Sequence, residues 1–132
     1  MKQLLWRWLP ALVWMGLIFV LSAQPDLPRV SDPRLDTLLK KVGHALSYGT
    51  LAWLYLRALR ERFHCAATSR VASFGLAVVY ALSDEYHQTF VPGRNGTLMD
   101  VAVDGAGACG AMLLDWWLQR RKALSRRAPD AV

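Results

Sequence analysis

Cysteines, acidic residues and nucleic-acid-binding patterns are scarce in this 132-residue sequence. Its two cysteines are Cys65, in a polar stretch, and Cys109, within an apolar run. They are expected at different depths, and a disulfide needs Cα atoms within about 7 Å, so none is predicted. Asp and Glu number 10 against 16 Lys and Arg. The basic residues flank apolar blocks without forming a stripe with interleaved aromatics, so no nucleic-acid partner is predicted.

The apolar residues, 54% of the chain, are gathered in blocks, and the charges lie between the blocks. This arrangement is typical of membrane proteins, in contact with the lipid bilayer. It predicts an all-α fold, a four-helix transmembrane bundle, in one membrane domain over residues 1–118. The predicted spans are about 4–22, 42–60, 71–90 and 98–118. The basic tail 119–132 is predicted to be disordered and attracted to anionic lipid.

The first apolar block has two interpretations. Lys2 and Arg7 form a basic start, and residues 20–23 resemble a cleavage site, as in a secretory signal. Alternatively the block is a retained span, because about 18 residues at 1.5 Å each cover roughly 27 Å, enough to cross a bilayer. We favour retention, since three further apolar blocks keep the chain in the membrane.

The segment 24–41 is predicted to be a linker. It contains three prolines, which prevent a continuous helix: Pro25, Pro28 and Pro33. A short surface helix over 35–39 is expected within it, followed by a separate second span.

Lys and Arg are divided unevenly between the two sides that this topology defines. Eleven lie at the amino terminus, around the connection between the second and third spans, and in the tail. Five lie in the linker and in the turn at 92–96. Because cytoplasmic segments carry the basic excess, both termini are predicted to be cytoplasmic.

Polar residues from separate blocks meet at the outer-leaflet end of the predicted bundle. Asp84 and Glu85 come near the end of the third block, and Asp100 and Asp104 lie at the start of the fourth. Ionisable groups at membrane depth are costly, so a chain keeps them where they face protein or water and have a function. The candidate site residues are Lys41, His44, Tyr48, Asp84, Glu85, His87, Gln88, Arg94, Asp100 and Asp104.

The same residues also allow a purely structural interpretation. Interhelical hydrogen bonds and ion pairs, such as Lys41–Asp100 or His44–Asp84, would hold four short helices together. A zinc site built from His44, His87, Asp84 and Asp100 has acceptable ligand types, but its spacing matches no known signature. We therefore predict no metal and no cofactor.

Two side chains have specific chemical alternatives. His87 follows Asp84 by three residues and is a candidate general base that Asp84 would orient, if the protein is an enzyme. Arg94 follows Gly93 in a turn and could grip a phosphate or carboxylate with its fork of donors. A solvated loop arginine is the alternative.

One ordered set of residues runs through three of the blocks and the turn between the last two. It reads Lys41-x-x-His44-x-x-x-Tyr48, Asp84-Glu85-x-His87-Gln88, Pro92-Gly93-Arg94, and Asp100 followed by Gly105-x-Gly107. This set, covering about residues 22–110, resembles the VanZ-like family of small bacterial membrane proteins, named after a teicoplanin-resistance protein. The resemblance implies a multi-pass protein of the bacterial inner membrane with a role in glycopeptide resistance. Asp104 departs from it, since the family is expected to have Asn there.

The leading functional hypothesis is an outward-facing pocket that recognises an anionic envelope lipid, a cell-wall precursor or a lipoglycopeptide. Lys40, Lys41 and Arg94 would hold the anion. One alternative is a membrane enzyme acting on a lipid-linked phosphate. Another is a small proton-coupled carrier with an aspartate relay. The sequence leaves the oligomeric state open.

Overall fold

The structure, a computed structural model, describes residues 2–25, 30–63 and 65–127. These ranges contain four helices and no strand: α1 Lys2–Ser22, α2 Pro33–Leu59, α3 Ala66–Gln88 and α4 Leu98–Arg127. The prediction of an all-α fold with four helices is therefore confirmed.

Polar and apolar side chains are distributed in the opposite way to a water-soluble domain. Large apolar side chains lie on the outside, among them Trp6 at 70% exposure and Val71 at 71%. Carboxylates lie inside, and Asp104 is 0% exposed. Extensive exposed apolar surface marks a site of contact with lipid or with another protein, and apolar helices long enough to span a bilayer favour lipid here. This distribution supports the membrane assignment.

Two helices are long and apolar enough to cross a membrane, over Leu5–Ser22 and Ala66–Gln88, among the residues that the structure describes. α2 and α4 do not meet that criterion. These are the helices that carry the Lys41–Asp100 and His44–Asp104 pairs, and such groups lower the mean hydropathy of a helix. Four crossings and cytoplasmic termini stay predictions.

α2 begins earlier than predicted, and the prediction of a broken linker up to residue 41 is wrong. Asp32 is the N-cap residue, and its Oδ1 accepts hydrogen bonds from the backbone N–H of Arg34 at 2.8 Å and of Leu35 at 3.4 Å. Pro33 occupies the first turn, where no intrahelical N–H partner is needed and its fixed φ suits a helix. It starts the helix instead of breaking it. Residues 26–29 of the predicted linker lie outside the described residues.

α4 is longer than predicted, since the tail is helical as far as Arg127 and not disordered there. The guanidinium of Arg120 lies 5.3 Å from the ring centroid of Trp116, and that of Arg121 lies 4.3 Å from Trp117. Such i,i+4 contacts extend a helix beyond its apolar part. Residues 128–132 lie outside the described residues.

The bundle is closest where α2 crosses α4. A Cβ atom on Gly107 would overlap the backbone carbonyl oxygen of Ala45, and one on Gly49 would lie 3.1 Å from the carbonyl oxygen of Gly107. Small residues of α2 and α4 thus allow the two helices to approach closely at this position. By contrast, a Cβ on Gly110 would meet nothing within 4 Å.

α1 packs against α2 and α3. The indole Nε1 of Trp14 donates to the carbonyl of Ser47 in α2 at 3.0 Å, and the Tyr80 hydroxyl of α3 donates to the carbonyl of Met15 at 2.7 Å. These bonds hold α1 so that its carboxyl end reaches the loop between α3 and α4.

Candidate functional site

A polar pocket of about 450 Å³ opens at one end of the bundle. It lies among the chain after α1, the first half of α2, the end of α3 and the loop that leads into α4. The polar pocket is lined by Gln24, Pro25, Asp36, Thr37, Lys40, Lys41, His44, Glu85, Gln88, Gly93, Arg94, Asn95, Thr97 and Asp100. Six of the ten candidate site residues line the polar pocket, namely Lys41, His44, Glu85, Gln88, Arg94 and Asp100, whereas Tyr48, Asp84, His87 and Asp104 do not.

The loop between α3 and α4 is placed by a glycine and an arginine. Gly93 has φ +78°, which other residues rarely adopt. Arg94 then points back to α1, where its Nη1 donates to the carbonyl oxygens of Leu21 at 2.9 Å and Ser22 at 3.1 Å. Both carbonyls lie in the last turn of α1, where the helical ladder ends, and that of Leu21 also accepts from the backbone N–H of Gln24 at 3.3 Å. Arg94 therefore caps α1, a role that the sequence did not indicate.

The start of α4 is tied to the end of α3. The Thr97 hydroxyl donates to Asp100 Oδ2 at 2.7 Å, and Asp100 N–H donates to Thr97 Oγ1 at 3.2 Å, so Thr97 acts as the cap. The N–H of Thr97 donates to Glu85 Oε2 at 2.9 Å. A Cβ on Gly96 would overlap the Glu85 carbonyl oxygen. Glu85 is consequently held by the loop.

His44 pairs with Asp104, and the alternative pairing of His44 with Asp84 is wrong. His44 Nδ1 lies 3.2 Å from Oδ1 of Asp104, whose side chain is fully buried. The cause is the close crossing at Gly107 and Ala45, since Asp104 lies one turn before Gly107 and His44 directly precedes Ala45. The predicted Lys41–Asp100 pair is present at 3.9 Å, the long limit of an ion pair.

Asp84 is bound by neutral groups. The Ser22 hydroxyl donates to its Oδ2 at 2.8 Å, and the Gln88 amide donates to the same oxygen at 3.0 Å. Gln88 also donates to Glu85 Oε1 at 3.1 Å. All four side chains are buried, so the predicted polar face of α3 forms an interhelical network with the end of α1.

Tyr48 is buried below this network, and its ring centroid lies 6.2 Å from that of Tyr80. It lines a second cavity of about 230 Å³. The surface of this second cavity is mostly apolar, although Ser22 and Ser47 line it beside Ile18, Leu21 and Gly43. It shares Lys40, His44 and Arg94 with the polar pocket.

His87 does not line the polar pocket. Its ring stacks against Phe19 of α1, with centroids 4.5 Å apart, and no hydrogen bond joins it to Asp84 among the described residues. At about 100° per residue, His87 lies on the opposite side of Asp84 from Glu85 and Gln88. It therefore faces α1 instead of the polar pocket.

The cations of the polar pocket differ in how firmly they are engaged. Lys40 Nζ lies 2.7 Å from Asp36 Oδ2, a normal ion pair. Among the residues that the structure describes, Lys41 is held only by the 3.9 Å contact with Asp100, and 40% of its side chain is exposed. Capping of α1 engages Nη1 of Arg94. Lys41 and the remainder of the Arg94 guanidinium are thus the groups best placed for an anion.

Residues that could hold a metal also lie here. Ligand atoms of His44, Glu85 and Asp104 are all within 4.8 Å of one another. Of the zinc ligands considered from the sequence, only His44 belongs to this set.

The sequence missed a second polar cluster at the opposite end of the bundle, the Asp115 cluster. Asp115 is buried, and its carboxylate pairs with Arg60 of the α2 C-cap and with Nε of Arg70, the latter at 3.0 Å. Gln119 donates to Asp115 at 3.0 Å and accepts from Arg70 at 2.6 Å. The i,i+4 spacing of Asp115 and Gln119 was the available signal, but their arginine partners come from other helices.

A family model described as VanZ/LLP1 matches residues 7–119. This chain belongs to the VanZ/LLP1 family. The match includes all four helices except the first residues of α1 and the last residues of α4. It contains the whole polar pocket and the Asp115 cluster. No curated protein and no solved structure matches the chain. In this VanZ/LLP1 protein, Asp104, where the family resemblance led us to expect Asn, is the partner of His44.

Proposed function

We propose that this VanZ/LLP1 protein is a multi-pass protein of the bacterial inner membrane whose polar pocket recognises an anionic envelope amphiphile. The shared chemistry is a phosphate or carboxylate headgroup on an apolar tail, as in an anionic lipid, a lipid-linked cell-wall precursor or a lipoglycopeptide. Membership of the family is consistent with a role in glycopeptide resistance.

The observation that carries this proposal is the adjacency of two unlike cavities. The polar pocket and the smaller apolar cavity share Lys40, His44 and Arg94 along their common boundary. A headgroup in the polar pocket would place its tail against the apolar cavity or on the exposed apolar surface outside. A ligand that is polar at one end and apolar at the other fits both.

Lys41 and Arg94 are the proposed anion-binding groups. Among the described residues, none accepts a hydrogen bond from Nε or Nη2 of Arg94, so these donors can face a headgroup. Lys40, which we first grouped with them, is already paired with Asp36. The nearby carboxylates would select a headgroup that also carries a hydroxyl or an amine.

The direct test compares a polyprenyl phosphate with the uncharged polyprenol of equal length, each titrated into the full chain in nanodiscs. We expect the phosphate to bind more tightly, and Lys41→Gln to weaken its binding about tenfold, the size of one charged hydrogen bond. Lys122→Gln, an exposed lysine in the last turns of α4, is the matched control and should bind as the wild type does. Equal affinity for phosphate and polyprenol would refute anion recognition.

The outward orientation of the polar pocket needs its own test. We expect Asn95→Cys, on the loop that lines the polar pocket, to react with a membrane-impermeant thiol reagent added to intact cells. Cys65 and Cys109 are both free and exposed, so both should first be replaced by Ser. A reporter fused after residue 132 should be cytoplasmic. Labelling of Asn95→Cys only after the cells are opened would reverse the orientation.

The two alternatives receive less support. An enzyme using His87 and Asp84 needs them to interact, and His87 instead stacks on Phe19. A carrier needs a polar path through the bundle, whereas the carboxylate of Asp115 at the far end is paired with Arg60 and Arg70, and the cavity that it lines is otherwise mostly apolar.

A further inference from the structure

His44, Glu85 and Asp104 come from three different helices and meet at the polar pocket. We propose that these three side chains bind one divalent cation, Zn²⁺ or Mn²⁺. Each offers a ligand atom, and these atoms all lie within 4.8 Å of one another.

An unpartnered oxygen supports this site independently. Asp104 is 0% exposed, and its Oδ2 has no hydrogen-bond partner among the described residues, although Oδ1 of the same carboxylate contacts His44. Buried carboxylate oxygens are normally paired, because losing water without a new partner is costly. A cation between Asp104 and its two neighbours would supply the missing partner.

The charge balance around the site points in the same direction. Asp36 is paired with Lys40, which leaves four further carboxylates at this end of the bundle against the cations Lys41 and Arg94: Asp84, Glu85, Asp100 and Asp104. Within the described ranges, two of these carboxylates are in ion pairs, Lys41–Asp100 and His44–Asp104. In the same ranges, no nitrogen of a Lys, Arg or His side chain lies within 4.0 Å of a carboxylate oxygen of Asp84 or Glu85. A divalent cation would offset the surplus negative charge.

The geometry is suited to ligation. Two ligands about 2.1 Å from a tetrahedral Zn²⁺ are about 3.4 Å apart, close to the 3.2 Å between His44 Nδ1 and Asp104 Oδ1. A carboxylate that binds through both oxygens would bring the unpartnered Oδ2 of Asp104 to the same ion. The 4.8 Å limit for the whole set is wider, so Glu85 would have to close on the ion. Glu85 is oriented by hydrogen bonds from Gln88 and Thr97, the outer support that metal ligands commonly have.

The ligand types narrow the choice of metal. Imidazole suits Zn²⁺ and other transition metals, while carboxylates also suit Mn²⁺. Three protein ligands leave at least one coordination position open, and both His44 and Glu85 line the polar pocket. The open position could take a phosphate or carboxylate oxygen of a headgroup. That consequence rests on the proposed function, but cation binding itself does not.

Spacing in the sequence could not reveal this site, and the sequence predicted no metal. The three ligands are separated by 41 and 19 positions and lie on α2, α3 and α4, so no local motif contains two of them. Their proximity follows from the crossing of α2 and α4.

The test uses the full chain in detergent, with any histidine tag removed, stripped with a chelator and dialysed against metal-free buffer. Zn²⁺ or Mn²⁺ alone is then titrated with no lipid headgroup added, and bound metal is measured by mass spectrometry of the elements. We expect one ion per chain, with Asp104→Asn and Glu85→Gln each binding at least about tenfold more weakly. Asp36→Asn is the matched control, because Asp36 is a carboxylate of the same polar pocket outside the cluster. It should bind as the wild type does.

Two outcomes would overturn the inference: no stoichiometric binding of either metal, or equal weakening in Asp36→Asn. If the cluster variants fail to fold, the Mn²⁺-loaded wild type decides the question by pulsed electron paramagnetic resonance. We expect coupling to an imidazole nitrogen from His44, and its absence would reject the site. Because no lipid ligand is present, failure of headgroup recognition would leave these results unaffected.

Discussion

The two ends of the bundle bury the same kind of side chain in different ways. At the Asp115 end, the carboxylate has partners on both oxygens, from Arg60, Arg70 and Gln119. At the polar-pocket end, Asp104 is more deeply buried but has one oxygen without a partner. Each end borders a cavity: the polar pocket of about 450 Å³ at one end, and at the other a cavity of about 540 Å³ that Asp115 lines together with mostly apolar residues such as Leu114 and Leu118.

This difference distinguishes buried polar groups that stabilise the fold from buried polar groups that can bind a ligand. A buried charge whose hydrogen bonds are all made holds helices together, and removing one partner destabilises the fold. A buried charge with an unmet bond beside a cavity stabilises little, and it is available to a ligand. Substitutions at the two ends should therefore affect different measurements.

The largest effect on stability is expected for Asp115→Ala. It would leave Arg60 and Arg70 without their carboxylate, so we expect a loss of roughly 2–3 kcal/mol in unfolding free energy, below the value for a fully buried pair because Arg60 is partly exposed. Reversible unfolding in mixed micelles measures it. Glu61→Ala, which removes the exposed partner of Arg7, is the control and should change stability little. Equal losses of unfolding free energy in Asp115→Ala and Glu61→Ala would show that the buried ion pairs stabilise the fold no more than the exposed one.

Gly107→Ala tests whether the helix crossing sets the geometry of the polar pocket. The added Cβ would overlap the Ala45 carbonyl, so α2 and α4 must separate, at a loss of about 1–3 kcal/mol typical of overpacking. We also expect His44 to lose contact with Asp104. Gly110→Ala meets nothing within 4 Å and should be neutral or stabilising. A stable Gly107→Ala variant with unchanged ligand binding would contradict this account.

Arg94→Ala should cost about 1 kcal/mol of unfolding free energy, because the carbonyls at the end of α1 lose their donor in a partly exposed setting. Arg94→Lys restores the charge but not the fork of donors. We expect Arg94→Lys to keep most of the stability and to lose most activity in a teicoplanin-susceptibility assay, at an unchanged level in the membrane. If activity follows stability across both variants, Arg94 acts as a cap alone.

Asp84→Asn should have the smallest effect on stability, within about 0.5 kcal/mol, because an amide oxygen can still accept from Ser22 and Gln88. We nevertheless expect it to abolish function, since the charge at this end of the bundle is lost. Susceptibility assays and unfolding would be measured on the same preparations. A large loss of stability here would show that this end, like the Asp115 end, is structural.

Much of the fold was predictable, because apolar blocks and helical spacing are local properties. The start of α4 at Leu98 and the shared face of Asp84 and Gln88 follow from such patterns. Helix boundaries were less predictable, because hydropathy marks where apolar residues end and not where hydrogen bonding ends. α4 accordingly continues through polar residues to Arg127, and α2 begins at Pro33, before its apolar block.

Partners were the least predictable part of the site. Nothing in the sequence was a reason to pair His44 with Asp104 instead of Asp84. The sequence also could not indicate that Arg94 binds the end of α1, because Arg94 and Ser22 are 72 positions apart. Which residues meet depends on how closely two helices can approach. For α2 and α4 that distance is set where Gly107 contacts the backbone of Ala45.

The sequence by itself determined that the chain is helical and that its polar residues collect near the ends of apolar segments, because periodicity and composition are carried by neighbouring residues. Only the tertiary structure decided that His44 faces Asp104, that Arg94 caps α1, that His87 stacks on Phe19, and that Asp115 forms the ion pairs of the other end. The physical reason is that each of these contacts joins different helices, whose relative rotation and separation are set by packing at positions such as Gly107 and Ala45.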